Sequence, residues 1–107
     1  MRVELLYFDD CPSYERLLPR LQALVDEHAP AAAIELRRVA SADAACAERF
    51  LGSPTIRVDG EDVEPGASGR QDFGLKCRLY RCGGRYVDVP PEEWIVTALN
   101  GAMGDRG

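Results

Sequence analysis

Between residues 2 and 39 the hydrophobic pattern changes period twice, and this limits the fold more than any other feature of the chain. Residues 3–8 form an apolar run interrupted only by Glu4, which reads as a strand with Glu4 near its start. Over residues 12–28 the apolar side chains Leu17, Leu18, Leu21, Leu24 and Val25 fall on one stripe of helical period. Residues 33–39 then alternate, with Ile34, Leu36 and Val39 expected on or near a core. A strand, a helix and a strand in succession predict a crossover and a parallel pair. Pro12 suits the first helical position, where no N–H partner is required. Pro19 lies inside the helical pattern and should kink it, at about 3 kcal/mol unless the fold absorbs it.

The pattern beyond residue 40 adds to this unit. Ser41 fits an N-cap for a short helix over residues 42–51 that would bury Ala42, Ala45, Cys46 and Phe50, with Gly52 as its C′ residue. Asp59-Gly60 between β-type residues predicts a hairpin, with Pro54 at the first strand position. Residues 65–75 carry three glycines and read as loop. Residues 77–80 fit a short strand, Cys82-Gly83-Gly84 a turn, and residues 86–89 a strand pairing back. Pro90-Pro91 opens a last helix with Glu92 and Glu93 in its first turn and Trp94, Ile95, Ala98 and Leu99 on its apolar face. One α/β domain over residues 1–100 follows, a β-α-β-α-β-β-α core with a loop insertion. It has a mixed sheet with helices on both faces, and residues 101–107 form a flexible, glycine-rich tail.

Composition excludes several functions. Thirteen Lys and Arg against 18 Asp and Glu give a net charge of −5, opposite to what nucleic acid or an anionic membrane attracts. No apolar run approaches the roughly 18 residues of a membrane helix, and the N-terminus does not read as a signal peptide. The expected compartment is the cytoplasm, where structural disulfides are rare. Four cysteines, Cys11, Cys46, Cys77 and Cys82, then point to redox chemistry, soft-metal chemistry or burial rather than a disulfide framework.

Cys11 stands where the first strand hands over to the first helix. The positive end of the helix dipole favours a thiolate there, and the thiolate is both nucleophile and metal ligand. Cys11 is therefore expected to be an exposed, reactive sulfur, with Asp9 and Asp10 opposing its ionisation unless they point away. Cys46 is expected to be core filler. The Cys77–Cys82 spacing does not suit a zinc knuckle and His28 is the single histidine, so no metal site and no cofactor are read. Thiolates nevertheless select soft ions such as mercury(II) or copper(I). Asp10 and Tyr14 are candidates to orient or protonate the sulfur's partner. Arg57 is expected to be solvated, as is the basic loop of Arg70, Lys76 and Arg78.

The Cys-Pro at the start of the first helix and Gly52-Ser53-Pro54-Thr55 before the third strand resemble the thioredoxin/glutaredoxin superfamily. The likeness covers most of residues 2–64 and the last helix. It implies a cis Pro54 packed beside the Cys11 sulfur, with Ser53 in support, and Pro19 as the kinking proline. More narrowly, the chain resembles small bacterial thioredoxin-like proteins often labelled alkylmercury-lyase-like. Phe8-Asp9-Asp10-Cys11-Pro12, the run from Gly52 to Gly60, the run from Asp72 to Tyr80 and Pro90-Pro91-Glu92-Glu93-Trp94 carry that likeness. The sequence departs from Cys-x-x-Cys, because Tyr14 stands three positions after Cys11. The resolving thiol must then come from elsewhere. The resemblance brings the loop ending at Cys77 beside Cys11, with Cys82 or an external thiol as alternatives and a Cys77–Cys82 bridge as a further possibility. Three functions follow as expectations: thiol–disulfide exchange through Cys11 with a small-molecule thiol or protein disulfide; thiophilic-metal or organomercurial handling by Cys11 and Cys77; and a non-catalytic adaptor that keeps the fold.

Overall fold

A computed structural model describes residues 1–104, with side chains through residue 101. Its elements are β1 (Arg2–Tyr7), α1 (Ser13–His28), β2 (Ala33–Arg38), α2 (Ala42–Ala47), β3 (Thr55–Val58), β4 (Glu61–Asp62), a 3-10 turn (Ala67–Gly69), β5 (Tyr80–Cys82), β6 (Arg85–Val87) and α3 (Glu92–Gly104). Four strands form a mixed sheet in the order β2-β1-β3-β4. β1 runs parallel to β2, as the helical crossover requires, and antiparallel to β3. β5 and β6 form a separate hairpin.

Strand alternation divides β1 between two faces. Val3 and Leu5 join Leu17, Leu21 and Val25 of α1, Ile56 and Val58 of β3, and Ile95 and Leu99 of α3 in the larger core. Leu6 joins Val39, Ala45 and Phe50 in a smaller cluster beneath α2. Each fully buried aliphatic side chain contributes about 1.5–3 kcal/mol. Glu4 shares the Leu6 face and is buried, inside the strand rather than at a tolerant end. Its carboxylate lies 2.8 Å from Arg37 and 3.1 Å from Arg2, and Arg37 continues to Glu48 at 2.6 Å. Arg57 lies opposite Glu4 in the β1–β3 register, and only 15% of its side chain is exposed. It donates to the carbonyl oxygens of Glu48 and Arg49, so it is not the solvated residue expected.

Other departures have local causes. α2 stops at Ala47, four residues short of the expected Leu51. Its N-cap is Ser41, whose Oγ accepts from the Ala44 N–H at 3.0 Å. The left-handed residue after it is Arg49 (φ 56°), not Gly52. Phe50 N–H donates to Ala45 O and Arg49 N–H to Cys46 O, the bond pair of a Schellman ending, and Phe50 covers Ala45 as the accompanying apolar contact. This early stop leaves Ala42 and Cys46 exposed, so Cys46 is not core filler. β2 is an edge strand and Leu36 is 47% exposed rather than on the core. Gly83 and Gly84, both at positive φ, make a two-residue hairpin turn, which places Cys82 in β5 and starts that strand at Tyr80 rather than Cys77. α3 runs through Gly101 to Gly104, past the expected start of the tail, and residues 105–107 lie outside the described residues.

Glu4→Ala would leave the partly buried Arg37 without its buried carboxylate partner, while the exposed Arg2 would turn to water. The substitution should cost about 3 kcal/mol, read as a shift in the denaturant midpoint. A loss below about 0.5 kcal/mol would show that the carboxylate is dispensable there.

Candidate functional site

Three segments converge at the top of the sheet. The first is the turn between β1 and α1, closed by the Cys11 N–H donating to Phe8 O at 3.2 Å. Pro12 is the capping residue and α1 begins at Ser13, so Cys11 sits just ahead of the helix. The second is Gly52-Ser53-Pro54 leading into β3, where the Ser53–Pro54 bond is cis. The third is residues 76–78. The Ser53 N–H donates to Lys76 O at 2.8 Å and the Arg78 N–H donates to Ser53 O at 2.9 Å, which places Cys77 opposite Ser53 in a one-residue parallel bridge.

Gly52 permits this approach. At φ 124° an added Cβ would lie 2.9 Å from both Lys76 O and the Arg78 Cβ. Arg78 then bolts the segment down. Its side chain is 1% exposed, with Nη1 donating to Thr55 Oγ1 at 2.9 Å and Asp62 at 2.7 Å, and Nη2 to Asp62 at 3.1 Å and Glu64 at 2.7 Å. The guanidinium lies 4.4 Å over the Tyr80 ring, and the Tyr80 hydroxyl donates to Pro54 O. Burial alone would disfavour the Arg78 charge, but Tyr80, Asp62 and Glu64 more than offset it. Arg78 is thus a structural bolt and not part of a solvated basic loop. Lys76 and Arg70 do remain at the surface, both paired with Asp72.

Cys11 is 1% exposed, which corrects the expectation of an exposed sulfur. It is buried with the core side chains, though it belongs to neither of the two apolar clusters described above. Its thiol donates to Ser53 O at 3.4 Å and approaches Ser13 Oγ at 3.9 Å. The exposed member is Cys77. Its thiol is pushed up to about 11, first by its interaction with the Cys11 thiol, then by burial, then by the charges of Asp10 and Asp88. Both sulfurs are free thiols, as are those of Cys46 and Cys82, so there is no Cys77–Cys82 bridge. Cys82 is carried away on β5, half-buried and paired in register with Arg85.

The supporting candidates separate. Tyr14 stacks on Tyr7, with ring centroids 4.0 Å apart, and joins the edge of the larger core. Burial, ahead of Glu15, Tyr7 and Asp9, raises its phenol. Asp9 pairs with Arg38 at 2.7 Å, while Asp10 is exposed and bears on Cys77. Ser53 is wholly buried, and its Oγ has no hydrogen-bond partner among the described residues.

Sequence reasoning missed Ser13 and Asp88. Ser13 Oγ donates to Asp88 at 3.3 Å, and Arg16 pairs with Asp88 and holds its carboxyl below the ordinary range. Ser13 lay beside a candidate cysteine, but nothing local pointed to residue 88. The signal for Arg78 was present as alternation, because Arg78 and Tyr80 are buried while Cys77 and Leu79 are exposed.

Among the described residues no group of three or more Cys, His, Asp or Glu could hold a metal ion, and no helix is long and apolar enough to cross a membrane. Surface hollows of about 380 and 590 Å³ lie near β4 and are lined by neither Cys11 nor Cys77. Set against known proteins, the chain matches no family model, no curated protein and no solved structure.

Two outcomes test this geometry. A thiol raised to about 11 ionises only near that pH, so alkylation of Cys77 should climb about tenfold per pH unit up to it. In Cys11→Ala the inflection should fall toward that of an ordinary cysteine; an unchanged inflection would separate the two sulfurs. The folded value lies above the unfolded 9.0, so this contribution to stability is complete below pH 9 and is lost as pH rises through 11. Separately, Arg78→Ala should cost about 3–5 kcal/mol by stripping Asp62 and Glu64 of their buried partner. It should also open Cys11 to iodoacetamide, whereas continued protection of Cys11 in a folded variant would show that the segment holds without its bolt.

Proposed function

We propose that this is a thioredoxin-like thiol–disulfide redox protein whose working pair is Cys11 and Cys77. One observation carries the reading: two free thiols, brought from segments 66 residues apart in sequence (77 − 11), converge on the same residue, Ser53. Residues 76–78 take the role that the second cysteine of a Cys-x-x-Cys would otherwise fill, since Tyr14 occupies that position. Support for the fold comes from a β-α-β unit followed by a β-hairpin and a closing helix, in the strand order β2-β1-β3-β4.

The reaction is a two-electron exchange. One thiolate attacks a disulfide RSSR and releases RS⁻, leaving a mixed disulfide on the protein. The second thiol gives up its proton and attacks that mixed disulfide, releasing the other RS⁻ and closing a Cys11–Cys77 disulfide. Two thiols are oxidised, one RSSR is reduced to two RSH, and the released thiolates take up the protons. A reducing compartment such as the cytoplasm would return the pair to thiols.

A second reading rests on the pairing of two thiols with no third ligand group among the described residues. Soft ions such as mercury(II) or copper(I) accept two sulfur ligands. Asp10, which bears on Cys77, is then the candidate acid to protonate a leaving carbon.

Mild oxidation should close one disulfide, mapped by mass spectrometry to Cys11 and Cys77, with Cys46 and Cys82 still alkylatable. Cys11→Ser and Cys77→Ser should each abolish it, and Cys82→Ser should leave it intact. A pair that stays reduced in excess oxidised dithiothreitol but binds mercury(II) stoichiometrically would favour the metal reading. A pair inert to both would leave only the adaptor.

A further inference from the structure

The two sulfurs of the proposed pair differ sharply in access, and this has a consequence for substrate. Building on the redox reading, we propose that Cys77 is the sulfur that carries the mixed disulfide, that buried Cys11 resolves it, and that the substrate is a low-molecular-weight disulfide rather than a peptide strand.

Access comes first. Exchange requires an attacking sulfur to reach a disulfide sulfur with its leaving group on the far side, so both must be approachable. Cys11 is 1% exposed, with Ser53 O and Ser13 Oγ around its thiol and Cys77 against it, while Cys77 faces solvent. The mixed disulfide therefore forms on Cys77, slowly at neutral pH because its raised thiol leaves only a small thiolate fraction. Cys11, whose thiol bonds the carbonyl of the residue that Cys77 stands opposite, needs no external access to displace the second RS⁻ from it.

The restriction on substrate comes from the backbone. An extended peptide docks on a protein edge by pairing with free N–H and C=O groups. At Ser53, the residue facing the sulfur pair, neither group is free: the N–H donates to Lys76 O at 2.8 Å, and the carbonyl accepts from Arg78 N–H at 2.9 Å and the Cys11 thiol at 3.4 Å. The chain's own residues 76–78 occupy the position a substrate strand would take. They are not loosely laid there, because Arg78 spends four hydrogen bonds on Thr55, Asp62 and Glu64 with its side chain 1% exposed. A peptide would have to displace an anchored segment, whereas a small disulfide needs only to reach Cys77.

The test uses the full chain. In Cys11→Ser, 2-hydroxyethyl disulfide should leave a stable mercaptoethanol adduct that peptide mapping places on Cys77. In Cys77→Ser the same reagent should label Cys11 at least about tenfold more slowly. In the wild-type protein, acid quenching during oxidation should trap the adduct on Cys77, and 2-hydroxyethyl disulfide should close the Cys11–Cys77 disulfide faster than a linear peptide disulfide does. Early labelling of Cys11 in the wild type, or a peptide disulfide reacting as fast as the small one, would overturn this assignment while leaving the redox reading in place. Absence of any Cys11–Cys77 disulfide would instead remove the redox reading on which it rests. The wild-type measurements hold even if a serine variant fails to fold.

Discussion

The buried guanidinium of Arg78 is the constraint on which the site depends. A charge this enclosed is tolerated only when it is paired, and Asp62, Glu64 and Thr55 supply acceptors to both terminal nitrogens, while Nε has no partner among the described residues. The consequence reaches beyond Arg78. Because its backbone N–H also donates to Ser53 O, the anchored side chain fixes the register of residues 76–78 against residue 53. With that register set, residue 77 faces the turn that carries Cys11. A slip of one residue would bring the side chain of Lys76 or Arg78 to the sulfur instead. Gly52 completes the arrangement by leaving out the Cβ that would collide with Lys76 O. A wholly apolar contact would not specify position as strictly, since it lacks direction.

Much of the fold was legible because periodicity reports burial directly. The apolar stripe of α1, the alternation of β1 and the Asp59-Gly60 turn each follow from local residue choice, and Ser41 caps α2 as its side chain suggests. The departures arise where a tertiary contact overrides the local cue. Gly52 looked like a helix terminator, yet α2 ends at Arg49 in the left-handed region. There, closing Phe50 over Ala45 outweighs the modest cost of a Cβ at φ 56°. Gly52 is kept for the approach of residues 76–78. Leu36 reads as core by alternation, but β2 lies at the sheet edge, where the supporting layer runs out. Glu4 and Arg57 read as polar punctuation and are instead a buried network, which no one-dimensional pattern encodes.

The site was legible in its parts but not in its polarity. A cysteine ahead of a helix and a Gly-Ser-Pro-Thr before a strand marked two of the segments that the structure brings together, and residue 77 was among the thiols considered. Exposure was reversed because the dipole argument concerns charge, not cover. The N-terminal end of α1 is electropositive whether or not another segment lies over it, and residues 76–78 lie over it here. Ser13 and Asp88 illustrate the same limit. Their hydrogen bond joins residues 75 apart in sequence, and Asp88 stands in a half-buried stretch with no motif to flag it.

The electrostatics around Cys77 favour a neutral thiol over an anion. Asp10 and Asp88 both bear on Cys77, and the carbonyl of Ser53 presents an acceptor, not a donor, to Cys11. The unpartnered Ser53 hydroxyl is a donor buried in the same residue, and no described atom competes for its proton. If rotation of that hydroxyl compensates a developing thiolate, Ser53→Ala should separate two effects that usually travel together. Stability should rise by about 1 kcal/mol as a buried unsatisfied group is removed, while closure of the Cys11–Cys77 disulfide slows about tenfold. A loss of stability on the same scale would mean that the hydroxyl is already bonded in the folded protein, and that its contribution belongs to the scaffold and not to the sulfur.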